Sequence, residues 1–475
     1  MNALLSLSSF LFPLITFPYI SRILLPAGTG RVDFATSLIS YFTMLAMLGV
    51  PTYGIRTCAK VRDDKIRLSR TAHELLFINL IMCVISYGLL FLALFTIPRL
   101  FEDRLLYVIV SSTILFNAIG MEWLYKALEE YTYITIRSLV FKVIAIVFMF
   151  LLIHAQKDYV LYGAISIFAA SASNILNFFH AHRYIQMRPL GGYNLRRHLK
   201  PVFVFFAIVC ASIIYTNLDT VMLGFMKTDV DVGYYNAAVK IKVALVALVT
   251  SLGAVLLPRV SYYLQHDMQD EFRRISRKAL NFVFLMAAPF SLYFILFAKN
   301  SIYLLSGYAY TGSIEPMQII MPTVLFIGLT GLMGIQVLVP LGKEKYVLYS
   351  EIGGAAADLI LNWILIPKMG ASGAAIGTLV AEAIVFVIQF IFLKAEMGEA
   401  FRKIPYLKIV IALFGGCAAS VWVLFMNFGN FLSLLVSAIL FFGVYYVLLL
   451  IQKETLTREL TGQTASWIRT KLLRK

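Results

Sequence analysis

The sequence predicts an all-α polytopic membrane protein of about fourteen transmembrane helices, with two parallel-repeat six-helix lobes followed by two C-terminal helices. Two observations predict the membrane class. Hydrophobic residues occupy 60% of the 475 positions and charged residues only 14%, and apolar runs of about 20 residues recur along the whole chain. A third observation, the recurrence of small-residue motifs at a fixed spacing, predicts the two lobes. Soluble domains are about 45–50% apolar and about a quarter charged, so a soluble globular fold is excluded.

Fourteen apolar runs are long enough to cross a bilayer. Their approximate limits are Ala3–Leu25, Val32–Gly54, Leu75–Ile97, Leu105–Tyr125, Tyr133–His154, Tyr159–Ala181, Pro201–Met226, Asn236–Leu257, Ala279–Leu305, Pro316–Val339, Val347–Ile366, Ser372–Leu393, Leu407–Phe428 and Phe431–Ile451. The first run has no basic residue before it, so we expect a permanent span rather than a cleaved signal peptide. The connections that remain are too short for a large extramembrane domain.

The basic residues predict the orientation of these spans. The chain has 41 Lys and Arg against 25 Asp and Glu, a formal net charge of +16. With the N-terminus inside, 30 of the 41 basic residues fall on cytoplasmic segments and 10 on the opposite side. Basic residues concentrate on the cytoplasmic side of membrane proteins, where they face anionic lipids. We therefore predict two cytoplasmic termini and no nucleic-acid partner.

An internal repeat is predicted by three residues that recur at a spacing of 203. They are Gly30, Ala35 and Arg56, matched by Gly233, Ala238 and Arg259. The segment LGVPTYGIR (48–56) also resembles LGAVLLPR (252–259). Recurring Gly and Ala can also reflect close helix packing alone, but equal offsets at equivalent span ends favour a repeat. We predict lobes at 1–195 and 196–395, with two further helices and a basic tail at 396–475.

Parallel repeats predict a function class. When two such lobes are related by an axis along the membrane normal, they enclose a central cavity, and rocking of one lobe against the other exposes the cavity to alternate sides. That architecture is typical of transporters.

Three segments resemble the bacterial O-antigen and polysaccharide flippases. They are SRILLPAGTGRVDFATS (21–37), MEWLYKALEEYTYITIRSLVFK (121–142) and, most specifically, LDTVMLGFMKTDVDVGYYNAAVKI (218–241). The resemblance covers nearly the whole chain and extends to the exporter superfamily that also contains the multidrug and toxin extrusion transporters. The chain departs from the family in two ways: Leu25 replaces the usual Gly before Pro26, and the polar leader before the first span is nearly absent.

The resemblance implies transport of a polyprenyl-diphosphate-linked oligosaccharide from the cytoplasmic to the periplasmic leaflet of the bacterial inner membrane, by alternating access. It implies lipid-linked oligosaccharide and membrane lipids as partners, with a polysaccharide polymerase and other pathway proteins as further candidates. No enzymatic activity and no cofactor are expected. The six His and four Cys show no metal-ligand spacing, so no metal site is predicted either.

Charges inside the predicted spans are candidate site residues, because a charge at a helix centre costs at least about 2.5–3.5 kcal/mol and usually faces a partner or a watery cavity. A sugar diphosphate is anionic, so a cavity that receives it needs cations. The candidates for substrate binding are Lys142, Arg22, Lys240 and Asp219. The candidates for ion coupling are Asp358, Glu382 and Glu351; the first and last are seven residues apart, on one helical face.

Four of these candidates have a structural alternative. Lys240 could extend to the outer interface, Asp219 could pair with a basic residue to fix helix packing, and the acidic pair Glu351 and Asp358 could bridge to a lysine. Lys142 favours the functional interpretation, because its depth leaves little scope for reaching the interface. The aromatic residues Trp123, Tyr125, Tyr131 and Tyr133 are interpreted as an interfacial belt.

Three rival functions remain open at this point. A cation-coupled multidrug exporter of the same superfamily commonly uses a buried carboxylate in its first lobe, whereas the first lobe here has the buried Lys142. A peptidoglycan-precursor flippase would share the fold and differ in cargo. A membrane enzyme acting on polyprenyl-linked sugars would need a long extramembrane loop with an acid or base, and no such loop is predicted.

Overall fold

The structure is a computed structural model that describes residues 2–251, 259–264, 266, 268–459 and 461–462, with side chains from residue 12 onward except at 208. Throughout these residues the regular structure is helical and no strand occurs, which confirms the all-α class. The chain divides into two compact units, an N-terminal unit Met1–Asn236 and a C-terminal unit Ala237–Lys475. Most of the repeated segment LGAVLLPR (252–259) lies outside the described residues.

The N-terminal unit contains ten complete helices and the start of an eleventh. They are α1 Asn2–Met47, α2 Val50–Ala59, α3 Lys65–Thr96, α4 Pro98–Phe101, α5 Arg104–Gly120, α6 Glu122–Ala127, α7 Tyr131–Leu152, α8 Tyr159–Ile167, α9 Asn174–His180, α10 Arg196–Met226 and α11 Asp229–Thr250. A wide π-helical turn, Phe168–Ala172, lies between α8 and α9. The start of α3 shows the local chemistry of a helix end: the carboxylate of Asp64 accepts hydrogen bonds of 3.0 Å from the backbone N–H groups of Ile66 and Arg67.

Among the residues that the structure describes, the C-terminal unit contains the rest of α11, a helical stretch at 259–264 and eight further helices. They are α12 Gln269–Leu296, α13 Ala298–Leu305, α14 Ile314–Ile320, α15 Thr323–Gly331, α16 Glu344–Met369, α17 Ala371–Arg402, α18 Tyr406–Ser420 and α19 Asn430–Ile451. A second π-helical turn, Leu332–Leu338, follows α15. Helices α16 and α17 pack closely, because Gly373 and Gly377 of α17 lie directly against the backbone or side chains of α16.

In the part of the chain that the structure describes, fewer than fourteen helices meet the criteria of length and hydropathy for a membrane span. Among the described residues, eleven helical segments are long and apolar enough to cross a membrane, or twelve when the bent pair Tyr308–Ile320 and Thr323–Leu338 counts as one span. The segment Phe12–Ala59 covers both the first and second predicted spans, and Arg104–Gly120, at the fourth, is shorter. The predicted number of fourteen is therefore not confirmed.

Leu25 interrupts α1 with φ 56° and ψ 178°, a backbone conformation that is favourable essentially for glycine alone. Pro26 follows and fixes the start of the next helical stretch. The Gly that the flippase family usually has before this proline would adopt the same conformation without a Cβ clash. The departure at Leu25 thus keeps the break between the first two predicted spans but places a strained residue there.

Two glycines bring α1, just after its break at Leu25, into direct contact with the start of α11 within the N-terminal unit. A Cβ atom at Gly30 would collide with the carbonyl oxygen of Asp229, and one at Gly233 would collide with the carbonyl oxygen of Pro26. Gly30 and Gly233 are 203 residues apart, and so are Pro26 and Asp229. The contact therefore brings together positions that the predicted repeat pairs with one another.

The segment 184–195, which joins the two predicted lobes, is held against the start of α3. The backbone N–H of Gln186 donates to Ser69 Oγ at 2.9 Å, and the Tyr193 hydroxyl lies 3.1 Å from His73 Nδ1. Glu74, whose side chain is fully buried, accepts hydrogen bonds from the backbone N–H of Asn194 at 2.7 Å and from His198 Nε2 at 2.8 Å, and also from Arg197. Every one of these partners lies within the N-terminal unit.

Candidate functional site

The N-terminal unit contains a cavity of about 370 Å³ whose charged lining residues are Glu122, Arg137 and Lys142. We call it the cationic cavity. Its wall is formed by α7, by the end of α8 with the following π-helical turn, and by Phe12 and Pro13 of α1. Two basic groups against one acid give the cavity a positive balance, which suits an anionic ligand.

Arg137 is the most buried cation of this cavity. It lies in the second turn of α7, and its side chain is only 5% exposed. Nη1 donates a 2.9 Å hydrogen bond to the carbonyl oxygen of Ser173, and Nη2 lies 3.9 Å from Glu122 Oε2. Nε is buried and has no hydrogen-bond acceptor among the described residues. A guanidinium has five N–H donors, so Arg137 retains unused capacity for a phosphate or carboxylate.

The carbonyl oxygen that Arg137 uses comes from an irregular part of the chain. Ser173 directly follows the π-helical turn Phe168–Ala172, where the regular hydrogen-bond ladder is interrupted. Single π-helical turns inside α-helices occur frequently at functional sites, because they redirect side chains and backbone groups. Ala169, Ala170 and Ser173 of this region all line the cationic cavity.

Lys142 lines the same cavity as Arg137. Ile134, Ser138 and Lys142 follow one another at intervals of four residues, so they share one face of α7, with Arg137 immediately beside Ser138. The side chain of Lys142 is half-buried. One helix therefore presents two cations to a single cavity.

Glu122 begins α6, next to Met121 with φ 40°. Its carboxylate forms a 2.8 Å ion pair with Lys126, one turn further on, and is 36% exposed. The 3.9 Å separation between Glu122 and Arg137 is at the limit of an ion pair, so the carboxylate holds the arginine only loosely. Glu122 is thus a counter-ion that an incoming anion could displace from Arg137.

A second cavity, of about 330 Å³, also has Glu122 in its wall. Its polar lining includes Thr52, Asn117, Asn174 and Lys126, and we call it the amide cavity. Asn174 Nδ2 donates a 2.9 Å hydrogen bond to Asn117 Oδ1. The two cavities therefore adjoin at Glu122 and differ in chemistry, one cationic and one rich in neutral polar groups.

Two other substrate-binding candidates of the N-terminal unit lie outside both cavities. Arg22 is exposed, and its guanidinium donates to the carbonyl oxygen of Pro18 one turn earlier. Asp219 is buried in α10 and accepts a hydrogen bond from the hydroxyl of Tyr235. Neither residue lines the cationic or the amide cavity.

The remaining candidates belong to the C-terminal unit. Lys240 is half-buried on α11, Asp358 and Glu382 are buried, and Glu351 is half-buried. Asp358 Oδ1 lies 2.8 Å from the position that a Cβ at Gly377 would take, so this carboxylate points at the closely packed backbone of α17. The roles predicted for these four residues stay predictions.

Sequence reasoning missed Arg137, Asn117 and Asn174. Arg137 is one of the 30 basic residues that the sequence places on cytoplasmic segments, although its spacing from Lys142 along one apolar helix is a usable signal. The interfacial-belt interpretation is wrong for Trp123 and Tyr125, which are buried. The Tyr125 hydroxyl donates to the carbonyl oxygen of Asn177 at 2.6 Å.

An all-helical chain with many apolar spans and charged cavities has the architecture of a membrane transporter. The chain belongs to the polysaccharide biosynthesis protein family, because the family profile of that description matches residues 1–264. Two relatives bear the description "Putative O-antigen transporter". The one from Escherichia coli K12 is 26% identical, with 82% of this chain and 94% of the relative covered. The one from Shigella dysenteriae is 23% identical, with 80% and 96% covered.

Two solved structures share the fold. The lipid II flippase MurJ, in an inward closed conformation, superposes with a TM-score of 0.71 at 16% identity, covering 94% of this chain and 98% of the flippase. An inward-facing multidrug resistance transporter of the MATE family superposes with a TM-score of 0.64 at 14% identity, covering 83% and 95%. Both are multi-helix membrane transporters, so the predicted fold class is confirmed. The predicted family is confirmed by the family profile and by the two O-antigen transporter relatives.

Proposed function

We propose that the protein is a flippase that moves a polyprenyl-diphosphate-linked oligosaccharide, such as an O-antigen repeat unit, from the cytoplasmic to the periplasmic leaflet by alternating access. The observation that carries the proposal is the cationic cavity, where Arg137 retains a buried donor with no acceptor in the part of the chain that the structure describes and Lys142 lines the same wall. The names of the relatives and the family membership support the cargo class.

The cavity chemistry favours this cargo over a cationic drug. Guanidinium and ammonium groups attract phosphate oxygens, and hydrogen bonds to ionised groups are roughly twice as strong as neutral ones. The attraction grows as water is excluded and the local dielectric falls. A cationic drug would instead require an excess of carboxylate, and Glu122 alone does not supply it. We further propose cytoplasmic termini, on the 30 to 10 bias of basic residues.

Replacing Lys142 with Ala or Arg137 with Ala tests the proposal in a deletion strain complemented by the full-length protein. Each change should reduce surface polysaccharide about tenfold or more, because a hydrogen bond to a charged group contributes about 1.5–3 kcal/mol. The lipid-linked precursor should accumulate on the cytoplasmic side at normal protein levels, and Lys142→Arg should retain part of the activity. The readouts are surface polysaccharide, precursor level and membrane protein level.

Lys157→Ala is the matched control, because Lys157 is exposed and lines neither cavity. Normal polysaccharide export by both cavity variants would overturn the cationic-cavity account. Loss of peptidoglycan synthesis, with surface polysaccharide intact, would assign the cargo to the peptidoglycan precursor instead.

A further inference from the structure

The amide cavity has hydrogen-bonding capacity that the protein itself does not use. Asn174 Nδ2 donates to Asn117 Oδ1. The Nδ2 group of Asn117 and the Oδ1 atom of Asn174 have no hydrogen-bond partner among the described residues, so they are left for a ligand. Reversing both amide orientations leaves the same capacity, one amide N–H₂ and one carbonyl oxygen. The hydroxyl of Thr52 lines the same cavity and can either donate or accept.

The amide pair is held in place by close helix packing. Asn117 lies in the last turn of α5 and Asn174 begins α9. Gly120, at the end of α5, permits the approach, since a Cβ there would lie 2.6 Å from the Cβ of Asn174. The side chain of Asn174 is therefore packed against Gly120 and Asn117 is hydrogen-bonded to it, which reduces the entropy lost when a ligand binds.

The unused groups match the chemistry of a sugar. Neighbouring hydroxyls on a pyranose ring each donate and accept hydrogen bonds, and a planar amide offers both functions side by side. Besides the ion pair of Lys126 with Glu122, the cavity carries neutral polar groups and apolar surface from Met47, Pro51 and Ile55, which suits a polar ring with apolar C–H faces. Its volume of about 330 Å³ lies at the lower end of the roughly 300–1,000 Å³ of ligand pockets, a size for one sugar residue.

The amide cavity lies beside the cationic cavity, as a site for the sugar next to the diphosphate should. In a lipid-linked oligosaccharide the first sugar is bonded directly to the diphosphate. A site for that sugar must therefore adjoin the diphosphate site. Glu122 lines both the cationic and the amide cavity, so the two sites meet at one side chain.

We infer that the amide cavity binds the first sugar residue of the lipid-linked oligosaccharide through Asn117 and Asn174, while the cationic cavity binds the diphosphate. The inference rests on the proposed function and adds a subsite that recognises the hydroxyl groups of a sugar. Arg137 and Lys142 supply attraction for any lipid diphosphate. The two amides make the protein select a glycosylated one.

The test measures binding to the purified full-length protein with two kinds of probe. One is geranyl diphosphate, and the other is a set of geranyl diphosphates that each carry a single hexose or 2-acetamidohexose. At least one sugar-bearing probe should bind the unmodified protein about tenfold more tightly than geranyl diphosphate, as two net hydrogen bonds supply. The double change Asn117→Leu with Asn174→Leu should remove that tenfold gain and leave binding of geranyl diphosphate within about twofold.

Asn177→Leu is the matched control, because it makes the same chemical change on the same helix at a residue outside both cavities. It should keep the tenfold gain, and thermal unfolding should verify that all variants are folded. If the double variant kept the tenfold tighter binding of the sugar-bearing probe, the proposed sugar subsite would be wrong and the proposed function would stand. Failure of every probe, geranyl diphosphate included, to bind the unmodified protein would overturn the proposed function itself. Loss of geranyl diphosphate binding in Arg137→Ala, together with loss of only the sugar-dependent gain in the amide variant, would support both.

Discussion

Two buried charged groups of the N-terminal unit, Glu74 and Arg137, differ in how completely the protein satisfies them. Glu74 accepts hydrogen bonds from the backbone of Asn194, from His198 and from Arg197. Arg137 has one short hydrogen bond to a backbone carbonyl, a loose approach to Glu122, and a buried Nε without an acceptor. A buried charge normally has partners, because desolvation without them is costly.

The difference separates a structural charge from a functional one. The carboxylate of Glu74 connects α3 to the segment that leads into α10, and its partners are all parts of the protein. Arg137 lines a cavity where a ligand could supply the missing acceptor. Completeness of pairing, rather than burial alone, therefore identifies the charge that is available for binding.

The largest expected effect is a difference in the free energy of unfolding between two variants, one with Glu74 and the other with Arg137 replaced by Met. Glu74→Met leaves the buried donors of Asn194 and His198 without an acceptor, and each unsatisfied donor costs about 1–3 kcal/mol. We expect the free energy of unfolding to fall by several kcal/mol. Arg137→Met removes an incompletely paired charge, and exchange of a buried ion for an apolar residue is often neutral or stabilising. Thermal unfolding in detergent should separate the two variants.

Equal destabilisation by Glu74→Met and Arg137→Met would contradict this comparison, because it would make Arg137 a structural partner like Glu74. Binding of geranyl diphosphate gives the complementary measurement. It should be lost in Arg137→Met and unchanged in the fraction of Glu74→Met that remains folded.

A smaller effect is expected from removing the counter-ion of the cationic cavity. Glu122→Gln abolishes a carboxylate that competes with the diphosphate for Arg137. Partly exposed ion pairs contribute about 0.2–1 kcal/mol, so we expect geranyl diphosphate to bind up to about fivefold more tightly in a titration. The matched control is Glu129→Gln, since Glu129 pairs with Arg62 on the surface, 72% exposed, and lines neither cavity. Weaker binding in Glu122→Gln would mean that Glu122 holds the ligand instead of competing with it.

The smallest expected effect is on the pH dependence of the melting temperature, and it involves a third charge, Glu454 of the C-terminal unit. Like Glu74, this carboxylate accepts several hydrogen bonds from the protein. Burial acts to raise the pKa of Glu454, but hydrogen bonds from Thr457, Asn281 and Leu456 outweigh it and keep the pKa below its ordinary value. Its side chain accepts from Asn281 Nδ2 at 2.8 Å and from Thr457 N at 2.7 Å.

Because the folded-state pKa of Glu454 is the lower one, its stabilisation is present above the ordinary pKa of about 4.3 and is lost as the pH falls through the folded value. The melting temperature of the unmodified protein should therefore drop more steeply below about pH 4.3 than that of Glu454→Gln. Parallel pH profiles for the two proteins would show that this charge contributes no pH-dependent stability.

The apolar composition and the length of the runs determined the all-helical membrane class by themselves, because the cost of unpaired backbone groups in lipid leaves few alternatives. Motif residues spread along the chain likewise sufficed for the family. The sequence also singled out Lys142, since a charge deep in an apolar run is conspicuous whatever surrounds it. The number of spans is harder to predict from the sequence. It depends on backbone geometry, namely the break at Leu25 inside one continuous helical stretch and the short length of α5.

Only the tertiary structure decided which polar residues share a cavity. Arg137 lies near a predicted span end and Asn174 lies in a small-residue stretch, and nothing in their spacing shows that α7, the π-helical turn and α6 converge around Glu122. The meeting of Asn117 with Asn174 depends on helix contact at Gly120, which joins residues 57 positions apart. Local patterns specify what each helix is made of, whereas the pairing of buried polar groups depends on packing between helices distant in sequence.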